Sequence, residues 1–401
     1  MDLKFVQSLS TPAKTKIVLL IMDGLGGLPR EPGGKTELET ARTPNMDALA
    51  RISALGLSQP AGPGITVGSG PGHLAIFGYD PIENEIGRGA LEVLGVDFDL
   101  LPGDVAARGN LCTVDAAGVV TDRRAGRIPS EASQALIERL QTIRLEGAEF
   151  FSMLVKEHRF AFVVRSADID DGVSDTDPLK NGLPALPARG SDPKSNKTAQ
   201  LVNQFVEQAR QVLKDQSPAN MILLRGFARL PNLPTYGELY GLRAASIAVN
   251  GMYRGVSRLV GMDVLPINGV TLADQFDVLE SAWKDYDFFY IHDKKTDTFG
   301  EKGDFEGKVA AIEEVDGYIP RLMALQPDVV IISGDHSSPT VLGGHSWHPV
   351  PTLLYSKYVR PDGLAEFGER ACSRGSLGVL PAKYIMPIAL ANAGRLSKYG
   401  A

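Results

Sequence analysis

The sequence predicts an α/β protein built on a mostly parallel sheet, with a second, smaller α/β domain inserted into the chain. Three observations carry this: short continuous apolar runs, helix-like repeats between them, and a change of texture in the middle third. The apolar runs are Lys16–Met22 (KIVLLIM), Phe160–Val164, Met221–Leu224, Phe288–Ile291, Asp328–Ser333 and Thr352–Tyr355. Runs without polar alternation are expected of strands covered on both faces, as in a parallel sheet. The first helix signal is residues 43–55, with Thr43 as N-cap and Pro44 at the first helical position. Ser130 is placed to cap a second over residues 130–143. Residues 197–213 and 307–325 repeat apolar positions at helical spacing, and Pro320 is expected to kink the latter. Residues 166–196 are dense in Asp, Gly, Pro and Ser and read as a long surface loop. The expected division is a discontinuous catalytic domain, residues 1–100 and 261–401, around an inserted domain of residues 101–260.

A chain of 401 residues can bury two such cores. Its net charge of −7, with no run of Lys or Arg, argues against a nucleic-acid partner held by phosphate neutralisation. A small anionic substrate in a local basic pocket stays compatible with it. Cys112 and Cys372 are the only cysteines and form no CxxC pair, so neither a disulfide framework nor a thiolate metal site is expected. The apolar run Ile17–Met22 stops at Asp23, too short for a signal segment or a membrane span. The expectation is a soluble cytoplasmic protein with no membrane partner, for which an oligomer is compatible.

Three of the predicted strands run into acidic or histidine residues. Lys16–Met22 leads to Asp23; Phe288–Ile291 to His292, Asp293, Asp297 and Glu301; Asp328–Ser333 to Asp335 and His336. Open α/β sheets bind ligands outside the carboxyl ends of their strands, so the three ends would converge. Taken singly, Asp23-Gly24 is an ordinary turn, Asp297 and Glu301 a solvated helix face, and His345 and His348 loop residues. Their agreement at three strand ends is what favours one site. Asp, Glu and His without Cys suit Mn²⁺, Mg²⁺ or Zn²⁺. Asp23, Asp335 and His336 would hold one ion, and Asp297, Glu301 and His345 another, a pair suited to clamping a phosphoryl group. Ser69, in the glycine-rich stretch 62–81, is the candidate nucleophile, and His73 a donor or acid beside it. The stretch is not a Walker A loop, since no Gly-Lys-Ser/Thr follows.

These pieces come in an order that resembles one family. LLIMDGLGG, KTELETARTPNMDALA, GSGPGHLAIFGYDP, ARGNLCTVD, DRRAGR, VSDTDP, KTAQLVNQF, LLRG, SGDHSSP and HSWHPVP span nearly the whole chain. Together they resemble the archaeal-type cofactor-independent phosphoglycerate mutases of the alkaline phosphatase superfamily. The resemblance implies an alkaline-phosphatase-like three-layer α/β/α domain carrying two divalent ions, Mn²⁺ favoured over Mg²⁺, Co²⁺ or Zn²⁺, with no requirement for 2,3-bisphosphoglycerate. It implies interconversion of 3-phosphoglycerate and 2-phosphoglycerate, a step of glycolysis and gluconeogenesis, through phosphorylated Ser69. Asp23, Ser69, Asp335 and His336 would then bind one ion, Asp297 and His345 the other, and His73 would contact the phosphoryl group. In the inserted domain Asp122 and Arg123 would hold the glycerate hydroxyls, and Arg159, Arg165 and Arg225 would clamp phosphate or carboxylate. Two positions depart from the pattern: Glu301 stands where histidine is usual, and Arg254, expected at the substrate, stands where lysine is common. The alternative is a related metal-dependent phosphohydrolase or phosphomutase acting on another small phosphorylated metabolite.

Overall fold

The computed structural model of the protein describes residues 3–400. In chain order its strands are β1 (Ile17–Met22), β2 (Ala54–Gln59), β3 (Val105–Val114), β4 (Val120–Asp122), β5 (Glu149–Lys156), β6 (Arg159–Arg165), β7 (Met221–Ala228), β8 (Ala244–Ile247), β9 (Asp263–Val264), β10 (Phe288–Asp293), β11 (Val329–Ser333), β12 (Val350–Ser356) and β13 (Gly378–Pro381). The chain forms two compact units, one from residues up to Glu85 and from Leu233 onward, the other Ile86–Asn232. These boundaries differ from those expected at 100 and 260. The helix Arg88–Gly95 packs on β3, so closely that a Cβ on Gly89 would lie 2.4 Å from the Ala106 carbonyl oxygen. At the other end, β8 pairs with β10 and so belongs to the larger sheet.

The larger unit holds eight strands in the order β13-β2-β12-β11-β1-β10-β8-β9. Only β12 runs against the others. Central β1 is buried along its whole length and is flanked in parallel by β10 and β11. That burial on both faces is why its sequence is uniformly apolar. Val18, Leu20 and Met22 face a core shared with the helices Pro44–Ala50, Leu272–Ala282, Phe305–Asp316 and Ile319–Ala324. On the opposite face Phe77 meets Tyr290 edge-on at 4.9 Å, and Tyr236 packs on Phe288 at 5.1 Å. Two helix layers thus enclose the sheet, the three-layer α/β/α arrangement. Residues 307–325 do not form one kinked helix: the first helix stops at Asp316, and Pro320 occupies the first turn of the next, where its missing N–H costs nothing.

The smaller unit carries a five-stranded sheet in which β3 pairs with β4, β6 and β7, and β5 with β6. All of these pairings are antiparallel. The apolar runs at Phe160 and Met221 were expected in a parallel sheet. They record burial, not strand direction, because β6 and β7 lie under the helices Ser130–Leu140 and Pro193–Leu213, with Phe160, Phe162 and Leu224 packed against Ile137, Val202 and Phe205. Ser130 begins its helix but Pro129 holds the cap position; the Ser130 hydroxyl instead accepts from the Glu157 N–H.

Candidate metal centre

Asp23 follows β1, Asp335 and His336 follow β11, and Asp297 lies on the helix Lys295–Lys302 just after β10. Because these three strands are adjacent and parallel, their carboxyl ends deliver the side chains to one place. Two groups of ligand atoms gather there, each within 4.8 Å: Asp23, Asp335 and His336, and Asp297, His336 and His345. His336 is therefore common to both, where the sequence placed it in one. The Glu301 side chain is 57% exposed and outside both groups, with Oε1 3.5 Å from His345 Nε2.

Asp23 and Asp335 each have one engaged oxygen and one without a hydrogen-bond donor among the described residues, whereas both oxygens of Asp297 are engaged. Asp23 Oδ2 accepts from His292 Nε2 at 2.9 Å and Lys294 Nζ at 3.2 Å, while Oδ1 accepts no hydrogen bond among the described residues. Asp335 Oδ1 accepts from the Gly24 N–H at 3.0 Å, while Oδ2 has no donor. Burial alone would raise Asp23, but the hydrogen bond from His292 and the His336 ring 3.3 Å from Oδ1 hold it well below the usual carboxylate range. Asp335 is raised by burial and by Asp23, yet the charges of His336 and His73 bring it below its ordinary value. Unengaged, ionised oxygens in a buried pocket call for a cation.

The histidines are oriented to complete that set. His345 Nδ1 donates to the Val67 carbonyl at 2.9 Å, which turns the Nε2 lone pair toward Asp297, 3.5 Å away. The Ser338 hydroxyl donates to Asp297 Oδ1 at 2.5 Å and leaves its oxygen to accept from His336 Nδ1 at 3.2 Å. His336 Nε2 then faces Asp23 Oδ1 (3.3 Å), Asp335 Oδ2 (3.2 Å) and Ser69 Oγ (3.2 Å). Burial disfavours a charged His336 ring, but Asp335 and Asp23 outweigh it and raise the imidazole to about 9. The oxygen and nitrogen donors of Asp23, Asp335, His336 and Ser69 fit a hard or borderline divalent ion.

Ser69 opens the helix Ser69–Ile76, which reading a glycine-rich loop did not foresee. Gly72 is what lets this helix reach the site, since a Cβ there would lie 2.5 Å from the Asp335 carbonyl oxygen. Gly24 has φ +62° and no room for a Cβ between Ser338 and Asp297. His73 is fully buried, with Nδ1 donating to the Ser69 carbonyl at 2.8 Å and lying 3.2 Å from Asp335 Oδ2. Its buried Nε2 has no hydrogen-bond partner among the described residues. His348 bonds Ser346 and stacks on Trp347, apart from the cluster. Arg254 is half-buried on the helix Gly251–Leu259, next to Tyr253.

Several residues at the centre had not been singled out from sequence. Tyr253 stacks on His292 with centroids 3.7 Å apart, and its buried hydroxyl has no hydrogen-bond partner among the described residues. Lys294 lies 3.2 Å from Asp23 and 2.6 Å from Asp297. The available signal was the i,i+3 spacing of Lys294 and Asp297 directly after a strand.

The smaller unit has a separate feature, a cavity of about 390 Å³ lined by Arg108, Arg123, Arg159, Arg225, Asn110 and His158 among others. Arg123 holds Asp177 with both arms of its fork, at 2.7 and 2.6 Å. The buried Nε groups of Arg108 and Arg225 have no acceptor among the described residues. Burial pushes the Arg225 guanidinium down, with Asp177 opposing. Two of the expected substrate residues are elsewhere. Arg165 is paired with Asp104 at 2.7 Å on both arms. Asp122 caps the following turn, accepting from the Arg124 and Gly126 N–H groups at 2.8 and 2.7 Å. Its short side chain closes its own turn, as Asp does at many such sites.

No helix among the described residues is long and apolar enough to cross a membrane, and both cysteines are free and buried. Residues 15–392 match the metalloenzyme superfamily. The chain is 50% identical over 400 residues, 99% of its length and 98% of the relative's, to a probable 2,3-bisphosphoglycerate-independent phosphoglycerate mutase of Thermus thermophilus. A protein of the same description from Aquifex aeolicus is 47% identical over 96% of this chain and 97% of its own. Among solved structures, a Pyrococcus horikoshii protein matches with TM-score 0.81 at 32% identity, covering 97% of this chain and 100% of its own. A cofactor-independent phosphoglycerate mutase of Thermoplasma acidophilum matches with TM-score 0.77 at 28% identity, covering 95% and 100%. With its strand-end carboxylates and histidines in place, the chain belongs to the metalloenzyme superfamily and, within it, to the 2,3-bisphosphoglycerate-independent phosphoglycerate mutases.

Proposed function

We propose that the protein interconverts 3-phosphoglycerate and 2-phosphoglycerate by passing the phosphoryl group through Ser69. The observation that carries this is the Ser69 hydroxyl, 3.2 Å from His336 Nε2 and beside the unengaged oxygens of Asp23 and Asp335. Asp23, Asp335, His336 and Ser69 would hold one divalent ion, and Asp297 and His345 a second, with Glu301 reaching it from the rim. Mn²⁺ suits this mixture of carboxylate and imidazole donors. Bound ions would supply Lewis-acid stabilisation of the phosphoryl oxygens and lower the pKa of the serine hydroxyl.

The chain's own residues do the rest. Ser69 Oγ forms the new bond to phosphorus as the bond to the glycerate oxygen breaks, and the glycerate oxygen takes up a proton. Phosphate returns to the other hydroxyl in the reverse sense. The helix opening at Ser69 places its N-terminus, which favours an anion, beside the hydroxyl, although Pro71 carries no N–H and the Gly72 N–H is bonded to the Gly68 carbonyl. His73, bonded to the Ser69 carbonyl, holds that turn in place. In the smaller unit the unpaired guanidinium N–H groups of Arg108 and Arg225, with Arg123 and Arg159, form a cavity suited to carboxylate or phosphate. The same reading carries a cytoplasmic location, as expected of a glycolytic step.

An enolase-coupled assay with 3-phosphoglycerate and Mn²⁺ tests this. Ser69→Ala should lose activity while keeping its fold by circular dichroism. Full mutase activity in that variant would sink the phosphoserine route. Rapid phosphate release from simple esters without 2-phosphoglycerate would instead identify a phosphohydrolase.

A further inference from the structure

Behind the metal centre lies a lysine that the reaction does not use. Lys308, on the helix Phe305–Asp316, has no exposed surface. Its ammonium donates to three carbonyl oxygens: Gly24 at 2.9 Å, Gly26 at 3.1 Å and Ser338 at 2.8 Å. Three N–H donors meet three acceptors, so the group is fully used. Gly24 and Gly26 follow Asp23 in the turn after β1, and Ser338 follows Asp335 and His336 in the turn after β11. The Ser338 N–H also donates to the Gly24 and Gly26 carbonyls, at 3.2 and 3.0 Å, so both turns converge on one point. From there the Ser338 hydroxyl reaches Asp297 and His336.

A fully buried ammonium is expensive to desolvate, and hydrogen bonds to neutral carbonyls alone recover little of that. What distinguishes this location is charge. Burial lowers the Lys308 pKa, while Glu37, Glu369, Asp297 and Asp23 favour the ammonium. Glu37 is itself buried and occupied by the Thr340 and Leu28 N–H groups, so it fixes the neighbouring chain segments.

We propose that Lys308 is a positioning residue for the metal centre: its ammonium pins the turns after β1 and β11 to each other and so sets the spacing of Asp23, Asp335, His336 and Asp297. It touches neither substrate nor the ion. The idea rests on the reading that this cluster binds a divalent ion, and the test separates the two.

Mn²⁺ binding to the whole protein is titrated by calorimetry for wild type, Lys308→Met and Lys308→Gln. The Met variant keeps the chain length without donors; the Gln variant retains two N–H groups. Expected are folded variants whose Mn²⁺ dissociation constant rises tenfold or more, Met above Gln. At saturating Mn²⁺ their KM for 3-phosphoglycerate should stay within about twofold of wild type, and kcat should recover toward it. Wild-type Mn²⁺ affinity in either folded variant overturns the proposal. Failure of both to fold even with saturating Mn²⁺ also overturns it, in favour of a general scaffold role. A wild type that binds no Mn²⁺ would sink the metal reading instead.

Discussion

The Lys294 ammonium lies 2.6 Å from Asp297 Oδ2, an ion pair one helical turn long at the edge of the metal centre. The same ammonium is 3.2 Å from Asp23 Oδ2, so one cation bridges the two acidic half-sites. Burial works against it, but Asp23 and Asp297 outweigh burial and raise its pKa. Without bound metal, Lys294 is thus a principal counter-charge to carboxylates that would otherwise repel.

Lys294→Met should therefore destabilise the metal-free protein more than the metal-loaded one. In thermal melts with and without Mn²⁺, the rise in Tm on adding metal should exceed that of wild type by about 2–4 °C, the shift expected for roughly 1 kcal/mol in a domain of this size. An equal rise in both proteins would show that Lys294 does not offset these carboxylates.

Much of this centre was legible in the sequence because strand ends are. An apolar run that stops at Asp23 or at Asp335-His336 marks both the strand and what it delivers, and adjacency of β1, β10 and β11 made three such marks one site. Less legible were residues whose role depends on what lies across the fold. Lys308 is one cation in a helix with an otherwise ordinary apolar face, and nothing in the sequence near it says that three carbonyls wait opposite. Tyr253 reads as a core aromatic until His292 is found stacked on it. Arg165 has the residue type of a clamp, but unlike Arg123 it does not line the cavity, and it is held by Asp104. Strand direction in the smaller unit was hidden for a related reason, since β6 and β7 are covered by helices and so look like parallel strands.

Arg123 offers a test of the cavity in the smaller unit. Its Nε and Nη2 bond separate oxygens of the buried Asp177, which fixes the plane of the guanidinium. Burial would raise Asp177, and the Arg123 hydrogen bond brings it below its usual value. A lysine keeps the charge but not the fork. Arg123→Lys should raise KM for 3-phosphoglycerate by about tenfold, with a smaller effect on kcat, in steady-state kinetics. An unchanged KM would remove Arg123 from substrate binding.

His158 gives the same cavity a pH signature. It lies in the turn between β5 and β6, with buried Nδ1 lacking a hydrogen-bond partner among the described residues. Burial first, then Arg159, push its pKa down to about 4; Glu157 opposes, and Arg124 and Arg127 add to the depression. Lys156, Arg108, Arg123 and Arg225 also line the cavity it faces. At pH 5 the ring is therefore mostly neutral in the empty protein, although a free imidazole would be charged. An anion in the cavity screens these cations, raises the ring's pKa and draws in a proton. Anion affinity should then increase as pH falls from 7 to 5, with net proton uptake on binding. Sulfate is a suitable probe because it does not titrate in this range. Calorimetry at pH 5 in two buffers of different ionisation enthalpy should show proton uptake for wild type and little for His158→Asn, which cannot be protonated. Equal uptake in both proteins would place the titrating group elsewhere.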